Sequence, residues 1–174
     1  DARGGAGGGA DASDLYADID HMTGIGTDED VTDWYVALPN FGGWTVAASG
    51  KNDMTTTANK QATSIGLKGS VGGISVTAGG MHKDAGVSVS TSLMGATVKV
   101  AAASIYSATK AKNVQESGVQ VDMPLGGMNL SVNSTTTDGT ANWGASVATT
   151  VAGYAISLGT DSDEDNQFKI SGPL

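Results

Sequence analysis

The chain has 174 residues, of which 39% are hydrophobic and only 5% aromatic, and a net charge of −9. It contains no cysteine, which excludes a disulfide scaffold, thiol catalysis and a cysteine-based zinc site. No basic patch with interleaved aromatics exists to meet nucleic acid, and the apolar runs are too short for a transmembrane helix.

The charge is unevenly spread. Residues 1–33 hold nine carboxylates and one base, Arg3, whereas the other 141 residues hold nine acids and eight lysines. Residues 1–10, DARGGAGGGA, offer no side chains to pack and read as flexible. Residues 11–33 read as an acidic loop with apolar anchors at Leu15, Tyr16, Ile19, Met22 and Ile25. Asp14 is placed to cap a short helical turn there.

From Trp34 onward the pattern changes to period two. In 63–106 the apolar set is Ile65, Leu67 and Val71, then Ile74, Val76 and Ala78, then Val87, Val89 and Leu93, then Ala96, Val98 and Val100. The positions between are Ser, Thr, Gly and Lys. Successive strand side chains point to opposite faces, so each segment has one apolar and one polar face. Strands are expected near 34–39, 43–50, 62–71, 74–81, 84–93, 96–106, 116–125, 128–135, 140–151, 153–160 and 165–174.

Short turns join them at Gly42-Gly43, Gly72-Gly73, Met94-Gly95, Gly126-Gly127 and Ala152-Gly153. Residues flanking a two-residue hairpin turn face the same side. Val71 and Ile74, Leu93 and Ala96, Leu125 and Met128, and Val151 and Tyr154 therefore keep the apolar face continuous. The pattern predicts an all-β, antiparallel meander of hairpins. A soluble sandwich of this size needs more bulky core residues than this chain supplies.

At the opposite end of the sheet longer polar loops are expected at 51–61, 107–115, 136–139 and 160–165, with a brief one at 81–84. Short turns at one end and polar loops at the other are the layout of a transmembrane β-barrel. Strand-interior charges agree in direction. Lys68, Lys99, Asp122 and Lys169 each sit between apolar neighbours and so point to the polar face. A soluble sheet with one wet face predicts the same parity.

The segment PNFGGWTVAASG (39–50) resembles the NFGG-turn hairpins of general bacterial porins. Residues 13–49 resemble the stretch of alphaproteobacterial, Rhodobacter-type porins that runs from the constriction loop into the next hairpin. ESGVQVDMPLGGMNLSVNS (116–134) resembles later strands of the same barrels. The resemblance implies an outer-membrane diffusion channel for small hydrophilic solutes and ions, a homotrimer embedded in outer-membrane lipid. Residues 1–33 would then hold the constriction loop, and 34–174 about eleven strands of the barrel. Asp14, Asp18, Asp20, Asp28, Glu29 and Asp30 would line an acidic constriction, and Lys68, Lys99 and Lys169 a basic wall across from it. Opposed charges across a narrow lumen sort solutes by charge and dipole.

The chain departs from that family in having few aromatics, with Trp34, Tyr35, Phe41, Trp44 and Tyr154 assigned to the short-turn end, and Tyr106 and Trp143 to the loop end. Its eleven strands fall short of the roughly 16–18 such barrels need. It ends SGPL where such porins end on Phe. An internal fragment is one reading of this, and a true terminal strand over 165–174 the other.

Acid clusters also suit calcium, at Asp18, Asp20, Asp28 and Asp30 or at Asp161, Asp163 and Asp165, although neither has EF-hand spacing. No other cofactor is expected. Enzyme signals are poor: His21 and His82 lie in separate segments, and Ser107 to Lys110 matches Ser-x-x-Lys without the companion motifs. The alternative to a channel is a secreted β-rich subunit of a filament, adhesin or surface layer, burying the same apolar face against protein.

Overall fold

Alternating β-branched and small residues, punctuated by tight turns, build a single antiparallel sheet in the computed structural model, which describes residues 12–23, 25, 34–53 and 60–172. Helix α1 (Ala12–Met22) comes first. The strands follow as β1 (Trp34–Ala37), β2 (Trp44–Asp53), β3 (Lys60–Val71), β4 (Ile74–Met81), β5 (Asp84–Leu93) and β6 (Ala96–Ser107). The rest are β7 (Lys112–Leu125), β8 (Met128–Thr137), β9 (Thr140–Val151), β10 (Tyr154–Asp161) and β11 (Asn166–Ser171). Every strand pairs with its neighbour in sequence, from β1 through to β11. The expected meander is present.

The register keeps the two faces separate along the ladder. Val71 pairs with Ile74, Ile74 with Thr91, Thr91 with Val98, Val98 with Val121 and Val121 with Val132. This face is bare. Ile65 is 63% exposed, Phe168 62% and Ile170 54%, so an apolar surface stands open along most of the sheet. Exposed contiguous apolar area on this scale marks a surface made for lipid or protein. On it, ring atoms of Trp34, Trp44 and Tyr154 lie over Gly50, Gly69 and Gly172, where a Cβ would meet them at 2.3 Å.

The turns explain the register. At Gly72-Gly73 and Gly126-Gly127 both residues have positive φ, as type I′ hairpin turns require. Met94 and Ala152 occupy the first turn position at φ 52°, where a side chain is strained. Left-handed backbone costs a residue with a Cβ about 1–2 kcal/mol, and Asn pays less. Met94→Asn and Ala152→Asn are each expected to stabilise the sheet by about 0.5–1 kcal/mol in denaturant unfolding from detergent.

At the other end of the sheet the structure differs from expectation. The 107–115 loop shrinks to four residues between Ser107 and Lys112, and the 81–84 and 136–139 loops become two-residue turns at His82-Lys83 and Asp138-Gly139. Polarity there does not mark loops. The ladder continues past the apolar belt through Ser104–Gln115, Tyr106–Asn113 and Ser107–Lys112. Polar side chains join these turns: Asn113 Nδ2 donates to the Lys83 carbonyl at 2.8 Å, and Lys110 pairs with Asp138 at 2.8 Å. The Lys110 bond holds the exposed Asp138 carboxyl below its ordinary pKa. Trp34 and Tyr35 also move. They open β1 and pair with Gly50 and Ser49, away from the short turn at Gly42-Gly43 where the sequence pattern puts them.

Candidate functional site

The second face of the sheet is not bare. Helix α1 lies across it, against β3 to β8. Leu15, Ile19 and Met22 follow the i, i+4, i+7 spacing that puts three side chains on one helix face. They are buried against Ala101 and Ala103 of β6, with Met81 and Ile105 packed beside them. Ile19 and Thr23 are fully buried. Burying each of the three large side chains contributes about 1.5–3 kcal/mol at most.

The wall is shaped to receive the helix. Gly66, Gly79, Gly86 and Ala103 form one cross-strand row, each paired with the next. A Cβ on Gly66 would stand 2.2 Å from the Thr23 carbonyl oxygen, one on Gly79 2.5 Å from the Thr23 nitrogen, and one on Gly86 2.6 Å from Ile19 Cγ1. Glycine weakens a strand interior and is found where another backbone approaches closely. Thr23 ends the helix: its hydroxyl donates to the Asp20 carbonyl at 2.7 Å and accepts from the Ile25 amide at 3.1 Å.

Two lysines of the wall reach the helix. Lys68 Nζ lies 2.5 Å from Asp20 Oδ1. Lys99 Nζ stands 5.6 Å from the centroid of the Tyr16 ring, within cation–π reach, and 3.6 Å from Asp122 Oδ2 on β7. Asp122 is fixed from three sides. Gln120 Nε2 donates to both its oxygens at 2.9 and 2.8 Å, and Ser131 Oγ donates at 2.7 Å.

The sequence-expected residues are thus placed unevenly. Lys68, Lys99, Asp122 and Lys169 all lie on the helix-bearing face, Lys169 through its pairing with Ser157 on β10. Asp20 touches Lys68 directly instead of standing across a gap from it. Asp14 and Asp18 lie in α1, and their side chains are outside the described residues. Asp14 is the third residue of the helix and not its cap; an acid in the first turn suits the helix dipole. Asp28, Glu29 and Asp30 lie outside the described residues. Of the calcium set at Asp18, Asp20, Asp28 and Asp30, only the Asp20 side chain lies within the described residues, and among the described residues no group of three or more His, Asp or Glu is arranged to hold a metal. Asp161, 5% exposed, accepts the amides of Asp163 and Asp165 at 3.0 and 3.1 Å through one oxygen. His21 lies in α1, with its side chain outside the described residues, and His82 lies in the β4–β5 turn.

The sequence reads as an acidic loop where α1 stands, and its period-two pattern does not mark the glycine row. The signal for the helix was the Leu15–Ile19–Met22 spacing. The signal for the row was three glycines in strand interiors, all on the polar side.

No family model and no curated protein matches the chain. Among solved structures, a porin refined at 1.8 Å resolution superposes with a TM-score of 0.56 at 15% identity, over 79% of this chain. The chain has a porin-like fold. It spans 57% of that porin's length. The expected transmembrane-barrel meander therefore holds at the level of fold: an all-β, antiparallel sheet arranged like part of a porin barrel. No helix among the described residues is long and apolar enough to cross a membrane, which says nothing of crossing by strands.

Proposed function

We propose that this chain forms part of the wall of an outer-membrane diffusion channel for small hydrophilic solutes and ions, with α1 folded into the lumen to narrow it. The observation that carries the reading is the division of the sheet. One face is an open apolar belt, and the other carries the charged residues and a docked helix. A porin-like barrel needs that division, with lipid outside and water inside. The strands fit: β3, β6 and β9 have twelve residues each, enough for the roughly 9–11 that a tilted strand needs to cross a bilayer.

Among the described residues β1 and β11 each leave one edge unpaired. In hydrocarbon such edges must be closed, so we place this wall within a larger barrel. The proposed assembly is a homotrimer. The resemblance of residues 13–49 to trimeric porins supports it, and Ala78, Gly80, Ala85 and Ala102 leave a shallow trough on the bare face that suits a neighbouring wall. No catalytic role is proposed.

The test is reconstitution of the full-length protein. Conductance steps in planar bilayers, and size-dependent swelling of liposomes with small sugars, support the channel. A protein that stays monodisperse without detergent and never conducts is the secreted structural subunit instead, its apolar face covered by protein.

A further inference from the structure

We propose, on the channel reading, that the lumen binds neutral polyhydroxy solutes, the chemical class of the sugars, along a track formed by Asn129, Asn133, Ser146 and Ser157. The helix-bearing face of the sheet falls into two halves. The half formed by β3 to β7 carries most of α1 and the pairs Lys68–Asp20 and Lys99–Asp122. From β8 to β10 the character changes. These three strands hold a single charged residue, Asp161, the last of β10.

Register brings the four side chains together on that face. Asn129 pairs with Ala148, and Ala148 with Ser157. One step along, Ser131 pairs with Ser146, and one step further Asn133 pairs with Gly144. Strands lie about 4.8 Å apart, and same-face residues about 6.8 Å apart along a strand. The polar groups are therefore spaced on the scale of one sugar ring. Gly144 and Ala148 keep the wall low between them. A Cβ on Gly144 would stand 3.3 Å from Asn133 Nδ2 and 3.4 Å from Asn133 Oδ1, so the amide lies over the neighbouring strand where glycine leaves it room.

The fold does not use these side chains. Among the described residues none of the four makes a side-chain hydrogen bond. Across the boundary, by contrast, Gln120, Ser131 and Asp122 are bonded to one another. Asparagine is a poor strand residue, so two of them in β8 without a partner in the sheet point to a partner in the lumen. Amides and hydroxyls both donate and accept. A solute hydroxyl does the same, whereas an ion offers one sign. An uncharged wall of such groups exchanges hydrogen bonds with a polyol without drawing ions into its path.

The experiment is titration of a neutral trisaccharide, maltotriose, into the full-length channel in planar bilayers, read as loss of ion current. Wild type is expected to lose current saturably. One hydrogen bond to the sugar corresponds to a factor of roughly 2–10 in affinity. Asn129→Leu and Asn133→Leu are each expected to raise the half-saturating concentration by about that factor, with the sugar-free current little changed. Asn133→Gln, which keeps the amide, is expected to lie closer to wild type. Ser90→Val, opposite Lys99 in the other half, is expected to leave the titration unchanged. A polyethylene glycol of the same size accepts but does not donate, and is expected to reduce current without saturation. A sugar titration that is as linear as that of the glycol overturns the track and leaves the channel reading intact. So does a half-saturating concentration that Asn129→Leu and Asn133→Leu leave unmoved. Absence of any ion current overturns the channel reading itself.

Discussion

Gly79→Val is expected to expel helix α1 from the sheet while the sheet still forms. The Cβ that valine adds would lie 2.5 Å from the Thr23 nitrogen and 2.6 Å from the Met22 carbonyl carbon, and backbone cannot yield as a side chain can. Valine also suits a strand better than glycine does, so β4 gains what α1 loses. The helix forfeits the burial of Leu15, Ile19 and Met22, about 1.5–3 kcal/mol for each. An 11-residue helix is not stable in water by itself, so segment 12–25 becomes open to protease. On the channel reading, single-channel conductance and the uptake of larger sugars also rise. Gly80→Val is the internal control. It is the neighbouring residue on the bare face, where the nearest atom to a new Cβ is 3.6 Å away. Protection of 12–25 in Gly79→Val equal to that in Gly80→Val would contradict the docking.

The second large effect separates the two faces with adjacent residues. Val147 lies on the bare face between Leu130 and Leu158, and Ser146 on the other between Ser131 and Gly159. Val147→Arg is expected to cost about 2–4 kcal/mol, the cost of a cation facing lipid near the bilayer midplane. Ser146→Arg is expected to cost under about 1 kcal/mol, because its side chain enters the wet face near Asp122. Urea titration of both variants refolded into lipid vesicles measures the difference. Equal costs would mean that the two faces meet the same environment.

Much of the fold was legible because period two leaves few alternatives. A slip of one residue would turn Lys68 and Lys99 to the bare face along with every polar neighbour. The hairpins flanked by Val71 and Ile74, and by Leu93 and Ala96, are where the sequence placed them. The loops were less legible. Asn113, Gln115 and Lys112 read as loop residues, because polarity is the usual sign of one, yet they extend the β6–β7 ladder. A strand that continues past an apolar belt becomes polar without ending.

The site was legible in charge and illegible in contact. The parity of Lys68, Lys99 and Asp122 put them on one face, but nothing in the sequence says that Asp20 meets Lys68 or that Asp122 meets Lys99. Those pairings depend on where α1 lies, and α1 was hidden by the acids around it. Gly66, Gly79 and Gly86 read as weak strand residues until Thr23 and Ile19 are seen above them. Small residues on a polar face have no meaning until their partner is known.

The central claim is that one face of this sheet meets lipid and the other meets water. Spin labels at 89, 119 and 147 on the bare face, and at 88, 120 and 146 on the other, test it most directly in the reconstituted full-length protein. Collision with oxygen, which concentrates in hydrocarbon, is expected to be high for the first set. Collision with a water-soluble nickel chelate is expected to be higher for the second. Two sets with the same profile, whether both wet or both shielded, would contradict the account.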